Sequence, residues 1–549
     1  MTARGVVARW LPFAWMAACV VLLLALAVAR RTQAREPALQ RDPYAAFDTD
    51  GEWRRRAVEL TALHREALGA DHFVEADASR PSWPGLVVTS AALAVTWSSA
   101  ASPGWSAADD AASVDVLVRR WMLVCALAAA ACGAWVAARL ASGAGVARLR
   151  AALVAGGWIA LSPWALEREH VERFDPHALL VFLCCVQLGA CAFALYARER
   201  IDLLAGALVG GAAAGAGLVA GVETWPVAAA CGASLGVHAL RQVASRPREA
   251  LLAPLCFMLV LLAVAGVGAG PLDARDLAPA FDGRARGWLA ASPLWIAGVT
   301  IAAAAALRLA LGRRADPFQT ALATAGAASF LLALVDARFS APAHAALALA
   351  AGGAAAREYA QLRSSVSRVA WIAVWIALAL VLLDVRPRSG SQPREVDDLR
   401  AGLAWLRENS VAPGPFNHPA AEQNWRVASA PRLSGLIARR ARRPTIAAER
   451  EHAASDASRA LELVFGTESD AEFTRRLDAS GARWIVASAA MQRDEKLCAS
   501  APARERVARL LDPQASLAGW RVRRAFGDPL SCVLWEREGP AERGQTQSR

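Results

Sequence analysis

The chain has 549 residues, a formal net charge of +11 and a hydrophobic content of 56%. Apolar runs of membrane length fill roughly its first 385 residues, which excludes an ordinary soluble enzyme and points to a polytopic membrane protein. A basic balance admits nucleic acid as a partner. Here, however, many arginines sit in short links between apolar runs, where membrane orientation puts them, so the bilayer and not nucleic acid is the expected partner.

The first apolar run, 10–29, resembles a signal peptide. Its length and the further runs behind it predict a retained membrane segment. A long external loop, 30–117, follows. It opens with DPYAAFDTDGEWRRRAVEL at 42–60, where Asp42, Asp48, Asp50 and Glu52 precede or begin a helix rich in arginine. Asp50 at a helix start fits a cap, and oxygen ligands of this kind also suit Mg²⁺ or Mn²⁺, so both readings stand. The apolar stretch 84–100 reads as a helix of that loop, because a full crossing there would invert everything after it.

Further membrane segments are expected at 118–138, 149–166, 176–196, 202–220, 225–240, 251–270, 293–310, 317–335, 340–356 and 369–385, giving about eleven crossings with the first. The links 139–148, 197–201, 241–249, 311–316 and 357–368 are basic. Placing them in the cytoplasm puts the N-terminus inside and the C-terminal part outside. The Ala, Leu, Val and Arg bias suggests a GC-rich bacterial genome, hence a bacterial inner membrane with a periplasmic or extracellular C-terminal domain.

In EREHVERFDPHALL, Asp175, Pro176 and His177 stand at the mouth of the fourth segment, flanked by Glu167, Glu169 and Glu172. An acid there can cap the helix. An Asp two residues before a His, across a stiffening Pro, is also a ligand pair for a divalent metal. Glu223 in GVETWP is an ionisable group near membrane depth, which makes it a site candidate, with an interfacial position beside Trp225 as the alternative. Arg338 in DARFSAP suits a phosphate on a lipid carrier or a pairing with Asp336, and His344 follows about a turn or so later.

The remainder, 386–549, reads as one α/β domain. Leu399 to Leu406 has helical periodicity. AEFTRRLDASGARWIVAS predicts a helix, a turn at Gly481 and a buried strand over 484–486, and 521–535 reads as a hairpin around GDP at 527–529. ARRARRP at 438–444 reads as a solvated basic face, and His418 has no assigned task. Of the 10 cysteines, only Cys498 and Cys532 lie in this tail. In an oxidising compartment they can form a disulfide, though spacing does not show proximity. No P-loop, Rossmann fingerprint, HExxH or serine-hydrolase elbow is present, which leaves an ATP-driven pump or a soluble hydrolase unsupported.

In order, the chain resembles the STT3/PglB/AglB group, the catalytic subunits of oligosaccharyltransferases with the GT-C membrane fold. The resemblance rests on one crossing, then a loop with Asp50, Trp53 and Arg55, and then SRPSWPGLVVTS at 79–90. Asp175 and His177, GVETWP, Pro293 and Leu294, Arg338 and a C-terminal α/β domain follow. It implies a polytopic α-helical GT-C domain over 1–385 and an external α/β domain over 386–549. It also implies a glycosyltransferase that takes a sugar or oligosaccharide from a polyprenyl-(pyro)phosphate donor to a protein or glycan acceptor. Asp50 and Asp175 would be catalytic, Asp50, Asp175 and His177 would hold Mn²⁺ or Mg²⁺, and Arg338 would bind donor phosphate. Asp48, Glu172, Glu223 and His344 stand as secondary candidates.

Three features depart from the family pattern. The Trp-Trp-Asp acceptor motif is missing, with NWRVASAPRLSG at 424–435 in its place. Ala stands where a loop glutamate is expected before Pro293, and about eleven crossings replace the usual thirteen. Two other classes stand beside the enzyme: a non-catalytic GT-C-fold subunit, which the missing acceptor features favour, and a transporter of lipid-linked intermediates. The acids collect in loops and not around interrupted midplane helices, which favours the enzyme.

Overall fold

The computed structural model describes residues 49–62, 86–100, 110–141, 145–162, 174, 176–197, 199–242, 247–268, 317–335, 339–361, 394–410, 426–446, 449–450, 453–454, 464–467, 469–494, 497–527 and 530–538, together with Ala25 and Val28. The expected segments 293–310 and 369–385, and 10–29 apart from Ala25 and Val28, lie outside these residues.

Ten helices make up the described part before residue 362: α1 (Thr49–Ala62), α2 (Leu86–Ala100), α3 (Asp110–Leu140), α4 (Gly145–Leu161), α5 (His177–Tyr196), α6 (Arg200–Ala220), α7 (Trp225–Gln242), α8 (Pro247–Gly268), α9 (Pro317–Val335) and α10 (Ser340–Gln361). A single 3₁₀ turn, Val222–Thr224, joins α6 to α7. Val114–Leu140, His177–Tyr196 and Arg200–Ala220 are each long and apolar enough to cross a membrane, and shorter apolar helices include Trp225–Leu240, Leu251–Gly266 and Leu322–Ala333. The protein is a membrane protein. The stretch 84–100 forms the 15-residue α2, which shares a small core with α1, Phe174 and the first turns of α3 and α5.

Small residues set the helix packing, as they must where lipid gives no hydrophobic incentive to associate. A Cβ on Gly133 would meet Cys185 Sγ at 3.6 Å, and one on Gly189 would meet Val136 Cγ2 at 2.5 Å, so α5 runs parallel to α3 with His177 level with Cys125. Gly206 and Gly210 lie against Ala190 and Ala194, so α6 runs antiparallel to α5, a register that brings the 3₁₀ turn to the level of His177. On Gly211 a Cβ would fall 2.4 Å from the Phe257 carbonyl oxygen of α8, a backbone atom that cannot swing aside, whereas Gly236 on α7 has open space around it. Gly211→Ala is therefore expected to cost about 1–3 kcal/mol by overpacking. Thermal unfolding in detergent should show a lowered midpoint for Gly211→Ala and none for Gly236→Ala; equal midpoints would contradict this packing.

A second core spans Val396 to Trp535. Its sheet has the order β1 (Arg426–Ala428), β4 (Ala482–Ser488), β6 (Leu530–Arg537), β5 (Trp520–Gly527), with β1 parallel to β4 and the other pairs antiparallel; β2 (Glu449–Arg450) and β3 (Ala453–Ala454) form a separate pair. Helix α11 (Arg394–Asn409) buries Val396, Leu399, Leu403 and Leu406, the periodic positions of the sequence. It reaches one sheet face through Gly402, where a Cβ would stand 2.8 Å from Cys532 Sγ. The other face, three residues along β6, is covered by α13 (Ala501–Leu510), whose Leu510 carbonyl accepts from Trp535 Nε1 at 2.8 Å. Burial on both faces explains the unbroken apolar run in β6. The helix, Gly481 turn and strand expected over 471–488 appear as α12 (Asp470–Ala479), Gly481 at φ 74° and β4, with Ser469 Oγ accepting from the Glu472 amide as N-cap. The hairpin also forms, β5 ending and β6 beginning either side of 528–529.

The proposed Cys498–Cys532 disulfide is corrected by the structure: both are free thiols. Cys498 Sγ donates to the Met491 carbonyl at 3.1 Å, while Cys532 lies under Gly402 on β6.

Candidate active site

Among the described residues, a hydrogen bond joins α1 to the residue just before Asp175. Arg54 Nη1 of α1 donates to the Phe174 carbonyl at 3.1 Å. Asp50 lies four residues before Arg54 on the same face of α1, and Asp175 is the residue after Phe174. The Asp50 side chain, Asp175, Asp48, Glu172 and Arg338 lie outside the described residues, so their own contacts are not part of this geometry.

Around this bond the helix ends gather at one level. His177 opens α5 and is buried, and Pro176 is its N-cap with no side-chain cap bond. Glu223 sits buried in the 3₁₀ turn, its carboxylate within 2.7 Å of where a Cβ on Gly221 would stand, so Gly221 is what lets the carboxylate fold back. Thr224 Oγ1 donates to the Gly221 carbonyl at 3.1 Å and fixes the turn. His344, one turn into α10 and fully buried, lies 3.4 Å from Ser162 Oγ beyond the end of α4. Phe339 and Ser340, which follow Arg338 in the chain, are buried as well. Of the expected site residues, then, the structure brings His177, Glu223 and His344 to one end of the bundle.

The largest feature at that end was not expected. Helix α3 starts at Asp110, before the segment at 118, and projects about 22 Å past the level of His177, at 1.5 Å per residue, with Asp115 about 15 Å past it. That extension carries Asp115 to a buried guanidinium from the C-terminal domain. Arg439 Nε lies 2.7 Å from Glu59 Oε1, its Nη1 2.8 Å from Glu52 Oε2 and its Nη2 2.5 Å from Asp115 Oδ1. Arg440 pairs with the other Asp115 oxygen, Arg55 bonds Glu52 at 2.9 Å, and Arg56 donates to the Ala438 carbonyl at 3.3 Å. Glu52, Arg55, Arg56 and Glu59 fall at i, i+3, i+4 and i+7, one face of α1.

The expectation that ARRARRP is a solvated basic face is overturned. Arg439 and Arg443 are buried, within a π-helical turn, Ile437–Ala441, and the bend after it. Arg442 closes the turn at φ 52°, a left-handed conformation that L side chains rarely adopt and that redirects the chain. Arg443 then satisfies the Arg407 and Ser410 carbonyls at the C-terminal end of α11. Burial, with help from Arg407, draws its pKa down to about 10.

Electrostatics follow from the packing. Burial pushes the Glu52 carboxyl up, but Arg439, then Arg55 and Arg440, more than reverse this and hold it at about 2. Glu59 is shifted the other way: burial raises it, and Arg439 only partly opposes that. A carboxyl depressed from 4.5 to about 2 stabilises the fold above the unfolded value and loses that stabilisation as pH falls through this window, on the order of 3 kcal/mol for Glu52. Acid titration of stability should therefore be flatter between pH 4.5 and 2 for Glu52→Gln than for the wild type; parallel curves would contradict the pairing.

No family model and no curated protein sequence matches the chain. Solved structures do. Archaeal oligosaccharyltransferase AglB from Archaeoglobus fulgidus, in complex with an inhibitory peptide and a dolichol-phosphate, superposes with a TM-score of 0.61 at 14% identity over 92% of this chain and 74% of that one. Its apo form gives 0.64 at 15% identity over 90% and 72%. ArnT from Cupriavidus metallidurans bound to undecaprenyl phosphate gives 0.51 at 12% identity over 95% and 99%.

The chain has the GT-C fold of the STT3/AglB oligosaccharyltransferases.

Of the three residues expected to hold a metal, only His177 has a described side chain. Among the described residues no group of three His, Cys, Asp or Glu side chains stands ready for a metal. Two carboxylates and an imidazole nonetheless form a suitable donor set for Mn²⁺ or Mg²⁺, and the Arg54–Phe174 bond joins the chain segments that carry them. Sequence reasoning missed Arg439 and Asp115. The available signal was an aspartate in an apolar helix, together with two glutamates seven residues apart on α1, all needing a cation if buried.

Proposed function

We propose that the protein is a membrane glycosyltransferase, moving a sugar or oligosaccharide from a polyprenyl-(pyro)phosphate donor to a protein or glycan acceptor. The reaction would take place at the membrane face bearing the C-terminal domain, in a bacterial inner membrane with that domain periplasmic. The single observation that carries this is the bond from Arg54 to Phe174, which brings the Asp50-bearing helix to the segment holding Asp175 and His177. The GT-C fold, shared with proteins solved with dolichol-phosphate and undecaprenyl phosphate, supports a lipid-linked donor.

In this reading Asp50, Asp175 and His177 hold a divalent cation, which would neutralise charge on the departing phosphate. Arg338, next to the buried start of α10, contacts phosphate oxygens. Glu223 is kept near the same level by the Gly221 turn, where a carboxylate can receive the acceptor's proton. The lipid tail remains in the bilayer. The acceptor is not tied to the asparagine sequon: the 426–428 part of the stretch standing for the missing acceptor motif is spent as β1, and Ser429 Oγ bonds the Val486 carbonyl at 2.8 Å.

The test is sugar release by purified protein from a polyprenyl-pyrophosphate oligosaccharide and from a single-sugar polyprenyl phosphate. It is run with Mn²⁺ and with chelator, over a pool of peptide and lipid acceptors. Metal-dependent release is expected from one donor. Folded protein that turns over neither donor would transfer the weight to a non-catalytic GT-C-fold subunit.

A further inference from the structure

We propose that Arg439, from the C-terminal domain, is a positioning residue for the metal site: its three-way clamp on Glu52, Glu59 and Asp115 fixes the helix that carries Asp50. This rests on the metal site of the proposed function and adds a contribution from the tail. Helix α1 is held on two faces. One face, Glu52 and Glu59, is bound by the fully buried Arg439 guanidinium, at 2.8 and 2.7 Å. The face about 200° round the helix, where Asp50 and Arg54 fall, meets the segment before Asp175 through the 3.1 Å bond to Phe174.

Asp115 supplies the third anchor and is itself rigid, being part of the long helix α3 that packs parallel to α5. The guanidinium fork therefore ties α1 to the same frame that places His177. Lysine has the charge but not the fork, and it would satisfy one acid at a time. The π-helical turn with Arg442 in the left-handed region is the local device that aims Arg439 and Arg440 together at this cluster. A helix shifted by about 1 Å would separate the oxygen donors from the imidazole, a displacement that costs on the order of 100-fold in catalysis.

The experiment is Mn²⁺ binding by electron paramagnetic resonance to purified full-length wild type, Arg439→Gln and Arg439→Lys. Amide exchange over 49–62 is measured in parallel, and all values are referred to the folded fraction. Loss of a ligand-orienting partner typically weakens metal binding about 10–100-fold. Arg439→Gln is expected to show that loss with faster exchange in α1, and Arg439→Lys a smaller loss of both kinds. Asp470→Asn, which breaks an ion pair with Arg509 elsewhere in the tail, should bind as the wild type does. Wild-type binding with unchanged affinity in both Arg439 variants would overturn the positioning role alone, whatever their stability. A wild type that binds no Mn²⁺ would overturn the site itself and this inference with it.

Discussion

Asp175→Ala is expected to reduce metal-dependent sugar release by on the order of a thousandfold or more while leaving yield and thermal midpoint nearly unchanged. The rate effect follows from the donor set. On the proposed donor set, loss of Asp175 would leave Asp50 and His177, too few ligands to hold Mn²⁺ or Mg²⁺ against water. The small stability effect follows from the helix start. Pro176 is the N-cap of α5 and makes no side-chain cap bond. Asp50→Ala should lower the rate in the same way, by removing another of the proposed ligands. Initial rates over a Mn²⁺ series, with the folded fraction taken from size exclusion, provide the check. Rates within a few-fold of wild type in both variants would remove the metal assignment.

Arg439→Leu should be the most destabilising single substitution at the junction, at about 3–5 kcal/mol. It leaves Glu52, Glu59 and Asp115 buried, with Arg55, Arg56 and the half-buried Arg440 as the nearby cations. The cost lies in the stranded carboxylates more than in the lost attraction. Removing the charge of Glu59 as well, the carboxylate whose ion pair is to Arg439, by combining Arg439→Leu with Glu59→Gln, should therefore recover part of it, whereas Glu52 and Asp115 keep Arg55 and Arg440. Chemical denaturation in detergent, supported by limited proteolysis of the tail, measures both proteins. If the double variant proved no more stable than the single one, the stranded Glu59 carboxylate would not be the source of the cost.

The legible part of this fold was what periodicity and length report. Helix α11, the α12–Gly481–β4 unit and the β5–β6 hairpin follow from local pattern, because each buries its apolar face against the immediate layer. The GT-C fold also agrees with the resemblance that the order of motifs along the chain suggested. The junction was not legible. A run such as ARRARRP is ordinarily solvated, since burying an unpaired guanidinium is costly. What reverses that here is three carboxylates from 324 to 387 residues earlier in the chain, a pairing that no local window contains. The start of α3 was missed for a related reason. Asp110 and Asp115 depress the hydropathy of its first turns, yet those turns are helical because Asp115 has Arg439 and Arg440 to meet. The proposed disulfide failed because two cysteines sharing a domain can still be committed elsewhere, one to a loop carbonyl and one beneath Gly402.

The measurement that bears most directly on the central claim is a structure of the full chain with Mn²⁺ and a polyprenyl phosphate, with the cation located by its anomalous signal. One strong peak is expected between the first turn of α1 and the start of α5, with Asp50, Asp175 and His177 as ligands and the lipid phosphate on the Arg338 side. A phosphate bound there with no cation peak, or a cation held by other residues, would contradict that claim.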